Sequence, residues 1–178
     1  MNKNMSQTIG IIAEDESDVN SARVLIHRIA KNDRIKIKKF LGKGCGKLKR
    51  KCNVWAKDLK IRGCSLLIVI HDLDKNNLAD LLNEIKKALL PCPISKHLIC
   101  IPVEELEAWF LSDPNAKKDS MKLKSLPKIK GNPENIKDPK EHLEKIISRA
   151  SNKEIMYINT KHNEKIAQFL SLTIAKAK

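Results

Sequence analysis

The chain is predicted to fold as an α/β domain, with a mostly parallel central sheet flanked by helices in a Rossmann-like topology. Three observations point there. Short apolar runs alternate with stretches whose apolar residues recur at helical spacing. The runs QTIGIIA, SLLIVIH and HLICIP are nearly continuous, as buried strands are, and each ends in acidic residues or in a proline followed by acids. The 178 residues are 42% apolar, enough for one domain of ordinary size, 1–178, with a real core.

Residues 7–13 read as a first strand. Ser17 is a plausible N-cap for the helix SDVNSARVLIHRIAK, with Asp18 favourable at its positive end. IKIKKF (35–40) alternates as a half-buried strand does. The glycine-rich turn LGKGCGK leads to a helix at about 47–62, with Leu48, Cys52, Trp55, Ala56 and Leu59 on one face and basic residues on the other. SLLIVIH (65–71) is the central strand. A helix over 78–90 is stopped by Pro91 and Pro93. HLICIP (97–102) is another buried strand, and VEELEAWFLSDP reads as a helix closed by Pro114. A basic irregular segment is expected at about 115–140, then helices at 139–150 and 162–176.

The net charge of +14 is unevenly placed. Between Lys31 and Arg62 there are 13 Lys or Arg against Asp33 and Asp58, a local net charge of +11. A block this basic contacts an anionic polymer or forms a solvated face; nucleic acid is the first candidate partner. Lys43, Lys47, Lys49, Arg50 and Lys51 carry most of the positive charge near the turn. Backbone N–H groups around Gly42 and Gly44 either hold a phosphate or form a plain flexible turn. No Walker A ending is present. With aromatics at 3%, a stacking platform for single strands is not expected.

The acids cluster at Glu14–Asp18, Asp72–Asp74 and Glu104–Glu107. Sites in parallel sheets form beyond the carboxyl ends of strands, where these acids lie. Residues two apart in a strand share a face, so Asp72 and Asp74 would present two oxygens together. With Glu14 and Asp15 they suit Mg²⁺ or Mn²⁺, which takes hard oxygen ligands and relieves the repulsion among crowded carboxylates. Otherwise Asp72 and Asp74 cap the helix near Leu78 or shape the turn. Glu104 and Glu107, three apart on one helix face, either complete the cation shell or favour a helix N-terminus. His71 is read as a packed histidine facing away from Asp72. Trp109 and Phe110 are read as core. The cysteines form no CxxC pair, which argues against zinc. Their odd count and the lack of a signal peptide suggest reduced thiols in the cytoplasm. No apolar run reaches membrane-spanning length, so no membrane partner is expected.

The order of acid-tipped strand, helix, strand and DxD is similar to the TOPRIM fold of topoisomerases, primases and overcoming-lysogenization-defect nucleases. The chain further resembles small TOPRIM-like proteins of bacterial defence cassettes. The residues that carry this are Glu14, Gly42 and Gly44, Asp72 and Asp74, LEAWFLSDP from Glu107 to Pro114, the Asp138-Pro139-Lys140…Leu143 segment, and Tyr157 with Lys161. The resemblance implies Mg²⁺-dependent nucleic-acid cleavage, with Glu14 as base or ligand and Asp72 and Asp74 as ligands. Asp15 or Glu107 would be auxiliary, and Lys161 would stand where related nucleases use a lysine. It also implies an ABC-type ATPase partner; a second copy of the chain is a further candidate. Two rival readings remain: a receiver-like domain phosphorylated on Asp72, and a non-catalytic nucleic-acid-binding subunit.

Overall fold

A computed structural model describes residues 7–173. Four strands, β1 (Thr8–Ala13), β2 (Lys36–Leu41), β3 (Leu66–Ile70) and β4 (His97–Cys100), form one all-parallel sheet in the order β2-β1-β3-β4. The fold is α/β and Rossmann-like, as the alternation of periods predicts. The acid-tipped strands β1 and β3 are neighbours, with Ile12 opposite Val69. They flank the point where the chain first crosses back over β1, which is where such sheets place their sites.

Strand alternation divides the core. Ile9, Ile11, Ala13 and Ile70 pack toward α1 (Glu16–Ala30). Ile12, Leu67 and Val69 pack toward α2 (Cys45–Ile61) and α3 (Leu78–Leu89). On α2, Leu48, Cys52, Ala56 and Leu59 are fully buried at i, i+4, i+8 and i+11. Gly10 lets α2 come close: a Cβ there would meet Leu59 Cδ1 at 2.9 Å. Leu25 on the outer side of α1 joins a second layer of helices: α4 (Glu107–Leu111), α5 (Pro114–Met121), α6 (Pro139–Ala150) and α7 (Asn159–Phe169). Phe110 is fully buried there and Trp109 packs against it.

Several boundaries differ from the sequence expectation. Asp15, not Ser17, caps α1: its Oδ1 accepts from Ser17 N (2.7 Å), Ser17 Oγ (2.9 Å) and Asp18 N (3.1 Å), and Asp18 Oδ2 accepts in return from Asp15 N (3.2 Å). Pro114 opens α5 instead of closing a helix. It occupies the first helical position, where proline has no N–H to lose, and Asp113 caps it by accepting from Ala116 N at 3.0 Å. The segment expected to be irregular therefore starts with a helix and contains a 3₁₀ turn at Pro133–Asn135. α6 falls at 139–150 as expected. α7 begins three residues before the expected 162 and ends at Phe169; residues 174–176 of that expectation lie outside the described part. Lys117 is fully buried, its ammonium donating to the carbonyls of Phe110 (2.8 Å) and Leu111 (3.0 Å) at the end of α4. Cys52, Cys64, Cys92 and Cys100 are free thiols. Among the described residues no helix is long and apolar enough to cross a membrane.

Candidate functional site

At the carboxyl end of the sheet the ladders run past the strands. Gly42 N donates to Ala13 O (2.8 Å) and Lys43 N to Glu14 O (2.9 Å), while Leu73 N donates to Pro102 O (3.0 Å) and Asp74 N to Glu104 O (3.1 Å). The first two bonds tie Glu14 to the glycine-rich turn after β2. The last two hold the Asp72–Asp74 and Glu104 stretches side by side, and the β1–β3 pairing makes these two groups neighbours. Three non-glycine residues here, Lys43, Asp74 and Glu104, have left-handed backbones with φ of 50°, 49° and 58°. Such conformations cost on the order of 1 kcal/mol each and collect at functional sites.

By alternation, Glu14 follows Ile12 onto the α2–α3 face, and His71 follows Val69 onto the same face. His71 is fully buried; its Nδ1 lies 2.7 Å from the Asp72 carbonyl oxygen and 3.1 Å from Glu14 Oε1. A carbonyl only accepts, so Nδ1 carries the proton and aims it at Asp72 O. Glu14 Oε1 is thus beside the ring yet receives no hydrogen bond, and His71 Nε2 is also without a partner. His71 does face away from the Asp72 carboxylate, as expected, but its pairing with Glu14 was not foreseen.

Asp72 lies toward α1 and the outer helical layer. Its Oδ1 is buried without a hydrogen-bond partner. Burial first, then the charges of Asp18, Glu14, Glu107 and Asp74, push its carboxyl up to about 9. Asp18 is raised to about 7, by burial first and then by Asp15, with Glu107 and Glu14 adding to the effect. Glu14 is raised as well: burial leads, Asp74 and Asp15 add, and His71 and the Asp72 backbone oppose. Acids from β1, α1, β3 and α4 therefore repel one another across one sheet end.

Glu107, 5% exposed, is anchored from the outer layer: its Oε1 accepts from Asn163 Nδ2 at 3.0 Å and from the Tyr157 hydroxyl at 3.4 Å. The Tyr157 hydroxyl also bonds Asn163 Oδ1, and Asn159 Nδ2 reaches Ser17 Oγ at 3.5 Å. Glu104 precedes α4 in a turn, so it and Glu107 do not share a helix face.

The expected residues thus part company. Glu14, Asp72 and Glu107 meet within the cluster. Asp15 has one carboxylate oxygen taken up by the α1 cap. β3 ends at Ile70, so strand alternation does not carry Asp72 and Asp74 to one side. Asp74 is exposed and lines a groove of about 390 Å³ with Lys75, Glu104, Glu105 and Lys137, although its charge still reaches Glu14 and Asp72. The helix-capping alternative for these two acids is not realised: Asn77 caps α3, accepting from Ala79 N and Asp80 N. Lys161 is exposed on the first turn of α7, where Asn159 and Asn163 are the residues that touch the acidic network. Gly42 and Lys43 spend their N–H groups on β1, which removes them from a phosphate cradle. Gly44, with φ of 114°, caps α2 without a side chain. Lys43, Lys47, Arg50 and Lys51 are exposed, whereas Lys49 pairs with Glu84 at 2.6 Å.

Among the described residues no three of His, Cys, Asp and Glu already stand in metal-holding geometry. The donor chemistry nevertheless fits a hard divalent cation: oxygens of Glu14 and Asp72 are buried with no hydrogen-bond partner, and among the described residues only the His71 ring, and no ammonium or guanidinium, lies against Glu14. The site missed most from sequence is Asp18. The spacing of Asp15 and Asp18, a capping pair, was its available signal.

Fold and site together define a Rossmann-like α/β domain with an acidic centre at the sheet switch point and a basic flank. Residues 13–178 match the family described as a domain of unknown function (DUF4276), and the chain belongs to that family. No curated protein and no solved structure matches it.

Proposed function

We propose that the protein is a metal-dependent phosphodiesterase acting on nucleic acid. One observation supports this reading: Glu14 and Asp72, just beyond the ends of the adjacent parallel strands β1 and β3, leave buried carboxylate oxygens unsatisfied in a chain whose most basic stretch runs through β2, the other neighbour of β1. Glu14, Asp72 and Asp74 would hold Mg²⁺ or Mn²⁺, with Glu107 in support. The ion would activate water and stabilise the leaving oxygen. The protein's own contributions follow from the geometry. His71 donates from Nδ1 to the Asp72 carbonyl and packs beside Glu14. Asn163 and Tyr157 orient Glu107. Lys43, Lys47, Arg50 and Lys51 attract the phosphate backbone. The TOPRIM-like resemblance adds an ABC-type ATPase as candidate partner and phage defence as setting; the free thiols accord with a cytoplasmic location.

The test is plasmid nicking and RNA degradation with Mg²⁺ or Mn²⁺, with the chain alone and with a candidate ABC-type ATPase partner added. Asp72→Asn should lose at least about a hundredfold in rate, on the scale of removing a charge that stabilises the transition state, while still binding nucleic acid. Undiminished cutting by Asp72→Asn would overturn the proposal.

A further inference from the structure

The basic flank holds an aromatic cluster that the low aromatic content of the chain does not advertise. Phe40 and Trp55 stack with ring centroids 5.4 Å apart and planes 1° from parallel. The Arg62 guanidinium lies over the Phe40 ring at 5.0 Å and pairs with Asp58 at 2.6 Å. Trp55 lies on α2 and Arg62 is the residue that caps its C-terminus, seven positions or about two turns on, and both close on a ring from the edge strand β2. Both rings are only partly buried, and the Arg62 side chain is 47% exposed. Lys47 and Lys51 continue the same helix face toward the α2 N-terminus, and both are exposed.

The cluster is also placed with respect to the acids. Phe40 is opposite Ile12 in the β1–β2 pairing, and Glu14 lies two residues beyond Ile12 on the same sheet face. Strand spacing and rise put the two backbones roughly 8 Å apart. Aromatic rings and guanidinium planes take stacked bases, and every base has a π-face to offer. A duplex keeps its bases stacked on one another and cannot supply one.

We propose that the Phe40–Trp55–Arg62 cluster takes an unpaired base of a single strand and so sets its backbone beside Glu14. The substrate class is then single-stranded or frayed nucleic acid rather than intact duplex. This rests on the reading of the protein as a nucleic-acid phosphodiesterase.

Binding without catalysis separates the two claims. In EDTA, fluorescence anisotropy compares the full chain on labelled oligo(dT) and on a duplex of equal length. Two variants are used. Trp55→Leu keeps an apolar contact for Phe40, with thermal melting to confirm the fold. Arg62→Lys keeps the charge at an exposed position but loses the planar group. The single strand should bind more tightly than the duplex, and each variant should weaken it by about tenfold while leaving duplex affinity within about twofold. Tighter duplex binding, or equal losses on both probes, overturns the inference and leaves the proposed activity standing. If neither oligonucleotide binds, both claims fall. Single-strand preference with no cutting under any metal supports the inference and overturns the activity.

Discussion

Asp72 and Asp18 show what the burial and convergence of acids cost. Their carboxyls sit near 9 and 7, against 3.8 for a free aspartate, with burial as the leading cause. A carboxyl raised in the folded state favours folding while it is protonated. That stabilisation is complete below the unfolded value and drains away as pH rises through 7 and then 9. Metal-free protein should therefore melt at steadily lower temperature from about pH 5 to about pH 9, as differential scanning fluorimetry in EDTA would show. Asp72→Asn should flatten the alkaline part of that slope, and Mg²⁺ should restore wild-type stability most at the alkaline end. A wild-type melting temperature that climbs over this range would contradict the buried cluster. Of these residues, Glu14 and Asp72 were legible in the sequence because each ends an apolar run. Asp18 was not, because an acid in the first turn of a helix is read as a partner for the helix dipole. Its carboxylate accepts from Asp15 N as a local cap, and only the tertiary fold brings it within reach of the charges of Asp72 and Glu107.

Elements with clear periodicity matched expectation: the four strands, α2, α3 and α6 lie where the apolar spacing puts them. α5 escaped notice because PNAKKDSM offers few apolar residues; it is set by the Asp113 cap and proline start, not by an amphipathic stripe. The same competition between local cap and distant role decides Asp72. Since Asn77 is the α3 cap, Asn77→Ala should cost about 1 kcal/mol in urea unfolding with nucleic-acid cleavage unchanged. At the contact of β1 with α2, Gly10→Ala should cost about 1–3 kcal/mol, because its new methyl collides with Leu59, a fully buried side chain. Stability near wild type for Gly10→Ala would mean that α2 can shift outward, and with it the Phe40–Trp55 stack.

At the scale of the molecule, the sheet and the outer helical layer meet through α1 and share one polar network. Glu107 is supplied by one layer and restrained by another, with Asn163 and Tyr157 more than 49 positions away in sequence. Nothing in local pattern announces such a contact, which is why sequence reading offered Glu107 only as one of an acid cluster, found Tyr157 only through resemblance and missed Asn163. Asn163→Leu should destabilise by about 1–3 kcal/mol, because a buried carboxylate loses its best donor, and should weaken Mg²⁺ binding measured by calorimetry. The outer layer also carries Lys117, whose ammonium is sealed against the last carbonyls of α4. It is the one lysine buried among the described residues. Amine-reactive acylating reagents should coat the rest of the chain within minutes and spare this position until the helices part. The rate at which mass spectrometry finds Lys117 labelled is thus a built-in clock for the opening of that layer, readable without any knowledge of substrate.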